Sequence, residues 1–195
     1  MKFHDRSEAG RRLAERLLHL KDARSVVYAL PRGGVPIAEA LDLLLVRKIG
    51  APGQLELALG TVVEGEPPQT VVNGEIIELL GVPADFVTEQ AADQLAEIEH
   101  PRRLWLRGRA PVSPYDRTAI LVDDGVATGA RRVLAMPVAP PEVVGALRED
   151  CDEAVFLAEP APFGSVGAFC DDFSRIEDAE VTALLDGAAA WRQAG

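Results

Sequence analysis

The sequence predicts an α/β fold with a mostly parallel central sheet flanked by helices, on three observations. Several strand-like runs are apolar throughout, the pattern of strands buried on both faces. These runs alternate with amphipathic helical stretches. Two Gly-containing loops directly follow apolar runs, where open parallel sheets place their ligands. The 195 residues fit a single domain, 1–195, in which 64–112 is a helical excursion and the candidate for a small hood. At this length folding buries roughly 70% of the extended chain's surface, so no disulfide or metal staple is needed.

Taken in order, residues 7–20 put Ala9, Leu13, Leu17 and Leu20 on one face, an amphipathic helix with Ser7 as its N-cap. Ser25–Leu30 is apolar and β-branched and runs into Pro31-Arg32-Gly33-Gly34, a buried strand ending in a tight loop. Leu43–Val46 reads as a second buried strand and Leu55–Val63 as a third apolar run. A short strand at 70–72 precedes helices near 75–80 and 83–106, the longer one turning Phe86, Val87, Leu95, Ile98 and Trp105 inward. Ala119–Ala130 is an apolar strand ending in two acids and a Gly/Thr loop. Strands at 133–139 and 154–158 and helices near 140–149 and 177–190 complete the chain, with Pro111–Pro114 as the junction back to the sheet.

Composition narrows the function. The 20 Lys and Arg against 31 Asp and Glu give a net charge of −11, and the pI is near 4.7. That field opposes a nucleic-acid polymer as partner, though it permits a local phosphate pocket. No apolar run is long enough for a membrane span, and the charged N-terminal stretch lacks the apolar core of a signal peptide, so a cytoplasmic protein without a membrane partner is expected. Cys151 and Cys170 form neither a CxxC nor a disulfide framework and read as buried thiols. The cluster Arg102, Arg103, Arg107 and Arg109 reads as a solvated helix end that favours cations, in preference to an anion patch.

The strongest chemical signal is Asp123-Asp124-Gly125-Val126-Ala127-Thr128-Gly129-Ala130 after Ala119–Val122. Small residues leave backbone N–H groups available to a phosphate, and Thr128 adds a hydroxyl. Adjacent carboxylates accept hydrogen bonds from vicinal hydroxyls or share a divalent cation with them. Phosphate and diol together suggest a sugar phosphate. A bare turn would not require four apolar residues before it and Ala-Thr-Gly after it. An ATPase reading needs a Gly-rich Lys-Ser/Thr loop, and Lys2, Lys21 and Lys48 all lie outside such a context.

Residues 119–131 resemble the phosphoribosyl diphosphate (PRPP) motif of type I phosphoribosyltransferases. Pro31–Gly34 resembles the pyrophosphate loop of that family, which in relatives often contains a non-proline cis peptide, and Val46–Gly50 resembles the Arg-Lys that opens its flexible catalytic loop. FHDRSEAGRRLAERL, LPRGGVPIA, VRKIGAPG, VDDGVATGA, MPVAPPE and PFGSVGAFCDDFSRIEDAEV are similar to a bacterial subgroup usually called predicted phosphoribosyltransferases. The resemblance implies a type I phosphoribosyltransferase-like fold with a hood. It also implies Mg²⁺ as cofactor, PRPP as substrate with an unidentified acceptor, and a possible homodimer. It assigns the ribose hydroxyls and, mainly through them or water, Mg²⁺ to Asp123 and Asp124. The 5′-phosphate falls to Ala127, Thr128, Gly129 and Ala130 and the pyrophosphate to Arg32, Gly33, Arg47 and Lys48, with Gly34, Gly125 and Val126 also substrate-binding. The implied reaction displaces pyrophosphate at ribose C1 by a nitrogen nucleophile such as a nucleobase. Kept beside it is a PRPP- or nucleotide-binding regulatory module without turnover.

Two connections depart from that pattern. Only Val35–Asp42 separate Gly34 from the next strand, and Gly129 is followed almost at once by Arg131-Arg132-Val133-Leu134, whereas a parallel crossover normally takes a dozen or more residues. Either segments are missing from the numbered chain, which a Cα–Cα gap near 40–42 or 130–132 would reveal, or the chain carries two internal deletions and its catalysis is weak or absent. Cys170 stands where the resemblance leads us to expect an aromatic residue.

Overall fold

The structure is a computed structural model that describes residues 2–21, 23–38, 42–65, 67–109, 112–113, 116–123 and 131–194, of which 131–132 and 191–194 are described by backbone alone. The chain forms two compact units, Met1–Leu43 with Arg109–Gly195, and Leu44–Gly108.

In the first unit, strands β1 (Val26–Ala29), β2 (Asp42–Leu43), β6 (Thr118–Val122), β7 (Arg131–Val138) and β8 (Glu153–Ala158) make one sheet in the order β2-β1-β6-β7-β8. All four pairings are parallel. The apolar runs are what the geometry demands: every residue of β6 is buried, so no polar side of the strand exists. Helix α1 (Arg6–Arg16) sends Leu13 onto Ile120, Val122, Val133 and Ala135, which form one core cluster. A smaller cluster at Val138 and Phe3 is closed by Phe163, Val166 and Phe169 from the tail, with Phe163 and Phe169 stacked at 5.9 Å between centroids. Helices α5 (Pro141–Glu149) and α6 (Asp178–Ala194) also belong to this unit.

The N-cap of α1 is Asp5, not Ser7. The Asp5 carboxylate accepts from Glu8 N at 2.7 Å, and the Glu8 carboxylate accepts in turn from His4 N at 2.6 Å. These reciprocal bonds satisfy otherwise orphaned donors two residues earlier than the apolar periodicity suggests. Both cysteines are half-buried rather than buried. Asp42 is buried in β2 and accepts from Leu43 N at 2.8 Å and Val112 N at 2.6 Å, while the Tyr28 hydroxyl donates to Val112 O. Burial, with Asp42 adding to it, pushes the Tyr28 hydroxyl up to about 12 from 10.0. The fold therefore favours the protonated phenol: this contribution is whole below pH about 10 and is lost as pH rises toward about 12. Thermal melts across that interval are expected to show a falling Tm that Tyr28→Phe flattens; an equal fall in the variant would refute the assignment.

In the second unit, β3 (Val46–Ala51), β4 (Gln54–Val63) and β5 (Gln69–Val72) form an antiparallel sheet, followed by α3 (Gly74–Leu80) and α4 (Ala84–Leu106). Ile49, Leu59 and Val62 pack against Val87 and Ala91 of α4, with Phe86 and Leu95 partly buried beside them. Ile98 and Trp105 are buried as expected. The run 43–46 is thus not one strand: Leu43 closes β2, and Val46 opens β3 in the other sheet. The run 55–63 is a half-buried antiparallel strand, not a strand of the central sheet. Gln54, Leu55 and Glu56 at its start are exposed and burial deepens only at Leu59 and Val62, so the strand is partly covered. Gly53, at φ +73°, turns the β3–β4 hairpin in a conformation that side chains rarely adopt. Arg102 pairs with Glu64 here, and Arg109 pairs with Asp186 in the first unit, so these two cations are tied to acids. Among the described residues no helix is long and apolar enough to cross a membrane.

Candidate functional site

The first part of the site grows from the carboxyl ends of β1 and β6, which are parallel neighbours in the register Ala29↔Val122. Beyond that pair Leu30 N donates to Val122 O at 3.1 Å, and Gly34 N donates back to Leu30 O at 2.9 Å, closing the turn Pro31–Gly34. The Pro31–Arg32 peptide is cis, the geometry the resemblance implied for this loop. A Cβ on Gly34 would lie 2.4 Å from Val122 O and 3.3 Å from the Asp123 Cα. Only glycine lets the turn lie directly on the end of β6. Gly34 also begins α2 (Gly34–Ala38), a helix of five residues.

Two motifs ninety residues apart in sequence therefore meet: the Pro31–Gly34 turn abuts the backbone at Asp123. Asp123 is only 7% exposed. Asp124, Gly125, Val126, Ala127, Thr128, Gly129 and Ala130 lie outside the described residues, as do residues 39–41, so the gap test at both short connections falls there too. What is described on either side of 123–130 is a parallel pair, with Thr118 opposite Arg131 and Val122 opposite Ala135. Those eight residues join the pair, fewer than the usual crossover.

Arg32 points its guanidinium at the tail. Its Nη2 lies 3.1 Å from Asp178 Oδ1, and its Nη1 donates to Ile176 O at 3.4 Å. Sequence reasoning did not find Asp178, which stands 146 positions away at the first turn of α6. Its only signal was that the tail shares in the family resemblance. The acid pair Asp171-Asp172 is turn chemistry at Asp172, whose carboxylate accepts from Ser174 N at 3.0 Å. That bond holds its carboxyl below the usual range.

The second part of the candidate set lies in the other unit. Arg47 and Lys48 stand on β3, a paired strand, rather than on a loop. Arg47 Nε donates to Gln94 Oε1 at 3.1 Å, and Lys48 Nζ donates to Glu56 O at 3.2 Å and Glu56 Oε2 at 3.1 Å. Both side chains are over two-fifths exposed, 44% and 42%, so each cation is restrained but open to a ligand.

No family model matches the chain. It is similar to "Putative phosphoribosyl transferase Rv0571c" of Mycobacterium tuberculosis (strain ATCC 25618 / H37Rv) and to "Putative phosphoribosyl transferase MT0597" of the same species (strain CDC 1551 / Oshkosh). Each is 38% identical over 209 residues, covering 95% of this chain. The chain spans about half the length, 47%, of both relatives. Since the aligned stretch of 209 residues takes in only part of a 195-residue chain, the relatives carry residues within it that this chain lacks. The crystal structure of TT1426 from Thermus thermophilus superimposes with a TM-score of 0.78 at 36% identity, covering 95% of this chain and 98% of that one. With this similarity in sequence and fold, the chain belongs to the same family as TT1426 and the two putative phosphoribosyl transferases.

Proposed function

We propose that the chain is a magnesium-dependent transferase that uses PRPP, displacing pyrophosphate at ribose C1 by a nitrogen nucleophile such as a nucleobase. The observation that carries this reading is the Pro31–Gly34 turn lying on the end of β6 beside Asp123. Asp123 accepts hydrogen bonds from the ribose diol together with Asp124, and a carboxylate is the acceptor that makes such bonds strong. The turn, with Arg32, meets the pyrophosphate. The family resemblance assigns Arg47 and Lys48 to the pyrophosphate as well, and Ala127–Ala130 to the 5′-phosphate.

The hard oxygen donors of the Asp pair suit Mg²⁺, which commonly keeps waters and substrate oxygens among its ligands. When bound, the ion neutralises charge on the departing pyrophosphate. The chain's own residues orient the sugar and hold cations where negative charge develops as C1 becomes oxocarbenium-like. No side chain needs to form a covalent bond. The Asp178 carboxylate restrains Arg32, so less side-chain freedom is lost when the diphosphate arrives, while it offsets part of the guanidinium charge.

The eight-residue connection after β6 favours a second reading, a regulatory module that binds PRPP or a nucleotide without turnover. A full helix after the loop would lend its N-terminal donors to the phosphate, and eight residues leave little length for one. Pyrophosphate release from PRPP, assayed with Mg²⁺ and a panel of nucleobases, separates the two. The transferase reading predicts base-dependent release with at least one acceptor; binding without release under every condition leaves the regulatory module.

A further inference from the structure

On the face of α4 toward β3, Gln90 and Gln94 sit one helical turn apart and line, with Arg47, Lys48 and Gly50, a cleft of about 360 Å³. This is within the size range of small-ligand sites. The amide of Gln94 has only one sensible orientation. An arginine Nε–H can only donate, so the Gln94 oxygen faces Arg47 at 3.1 Å and its NH₂ turns away.

That contact fixes the guanidinium by its inner nitrogen and leaves the two terminal NH₂ groups at the far edge. Glu97 Oε2 is the neighbouring acid, and at 3.7 Å from Nη2 it lies beyond hydrogen-bonding distance. Lys48 directs two of its bonds to Glu56, and an ammonium has three protons. A neutral amide steers Arg47 without adding to the partial offset of its charge by Glu97, its ion-pair partner at 3.7 Å. A glutamate there would steer equally well and neutralise it.

We infer that Gln94 is a positioning residue for Arg47, holding the guanidinium so that its outer edge is presented to a diphosphate oxyanion. The inference rests on the reading of Arg47 and Lys48 as pyrophosphate ligands. Gln94 acts through Arg47, so the two are coupled: once Arg47 is gone, loss of Gln94 costs nothing more.

The test is calorimetric titration of magnesium pyrophosphate into the full chain and four variants: Arg47→Ala, Gln94→Met, Gln94→Glu, and Arg47→Ala with Gln94→Met. Losing a hydrogen bond to a charged group corresponds to about tenfold, so Gln94→Met is expected to weaken binding about tenfold with an unchanged melting temperature. Gln94→Glu keeps the acceptor and still weakens binding, because it adds a negative charge. The double variant binds no more weakly than Arg47→Ala alone. If Arg47→Ala weakens binding while Gln94→Met does not, or if the two losses add, the inference is overturned and the pyrophosphate reading stands. Unchanged affinity in Arg47→Ala would overturn that reading and the inference with it.

Discussion

Asp123→Asn is expected to weaken magnesium-dependent PRPP binding by about 100-fold, with the melting temperature measured alongside as a control. The substitution preserves size and one acceptor but removes the charge. Hydrogen bonds to a charged group are worth about 1.5–3 kcal/mol each, so losing the charge toward two hydroxyls costs about 3 kcal/mol, which is about two decades in affinity. Asp123 is buried at the carboxyl end of β6, so its charge acts where water screens poorly. Asp124→Asn is expected to act in the same direction. A tenfold or smaller effect in both variants would remove the carboxylate pair from the binding site.

The second large effect is structural in origin and functional in outcome. Gly34→Ala places a methyl 2.4 Å from Val122 O, against backbone that has no flexible end to yield. The turn must lift away from β6, at the expense of the bond from Leu30 N to Val122 O. Overpacking of this kind costs about 1–3 kcal/mol, and for a chain near 200 residues each kcal/mol lowers Tm by about 2–4 °C. A drop of about 2–12 °C is expected, together with weakened pyrophosphate binding, because the same displacement parts the turn from Asp123. Gly74→Ala is the matched control: a Cβ there meets nothing within 4 Å, so Tm should hold or rise slightly. Equal behaviour of the two variants would show that the close approach at Gly34 is not what holds the turn down.

The parallel sheet was legible because its inner strands have no polar face to confuse the reading. Val26–Ala29 and Thr118–Val122 are apolar on both sides, and each ends where the chemistry-bearing residues begin. The misread stretch was 43–63. A continuous run of Leu43, Leu44, Leu45 and Val46 looks like one buried strand, but it crosses from one sheet to the other, and periodicity cannot mark that crossing when both sides bury their residues. The Ser7 cap failed for a different reason: Ser7 and Asp5 are both good capping residues, and the choice was made by the bonds between Asp5 and Glu8 and between Glu8 and His4.

The site was legible as motifs and not as contacts. Pro31–Gly34 and Asp123 could each be read from their loops, whereas their meeting depends on strand order, which one sequence fixes only through the family pattern. The partners of the cations were not legible at all. Asp178 for Arg32 and Gln94 for Arg47 are ordinary residues on helices, chosen by tertiary proximity, and no spacing rule links residues so far apart in the chain.

The most direct measurement is a calorimetric titration of PRPP into the unaltered chain with and without Mg²⁺. Saturable one-site binding that collapses when the cation is chelated, and again in Asp123→Asn, is the predicted result. Absence of binding, or affinity indifferent to both the cation and the carboxylate, would contradict the account.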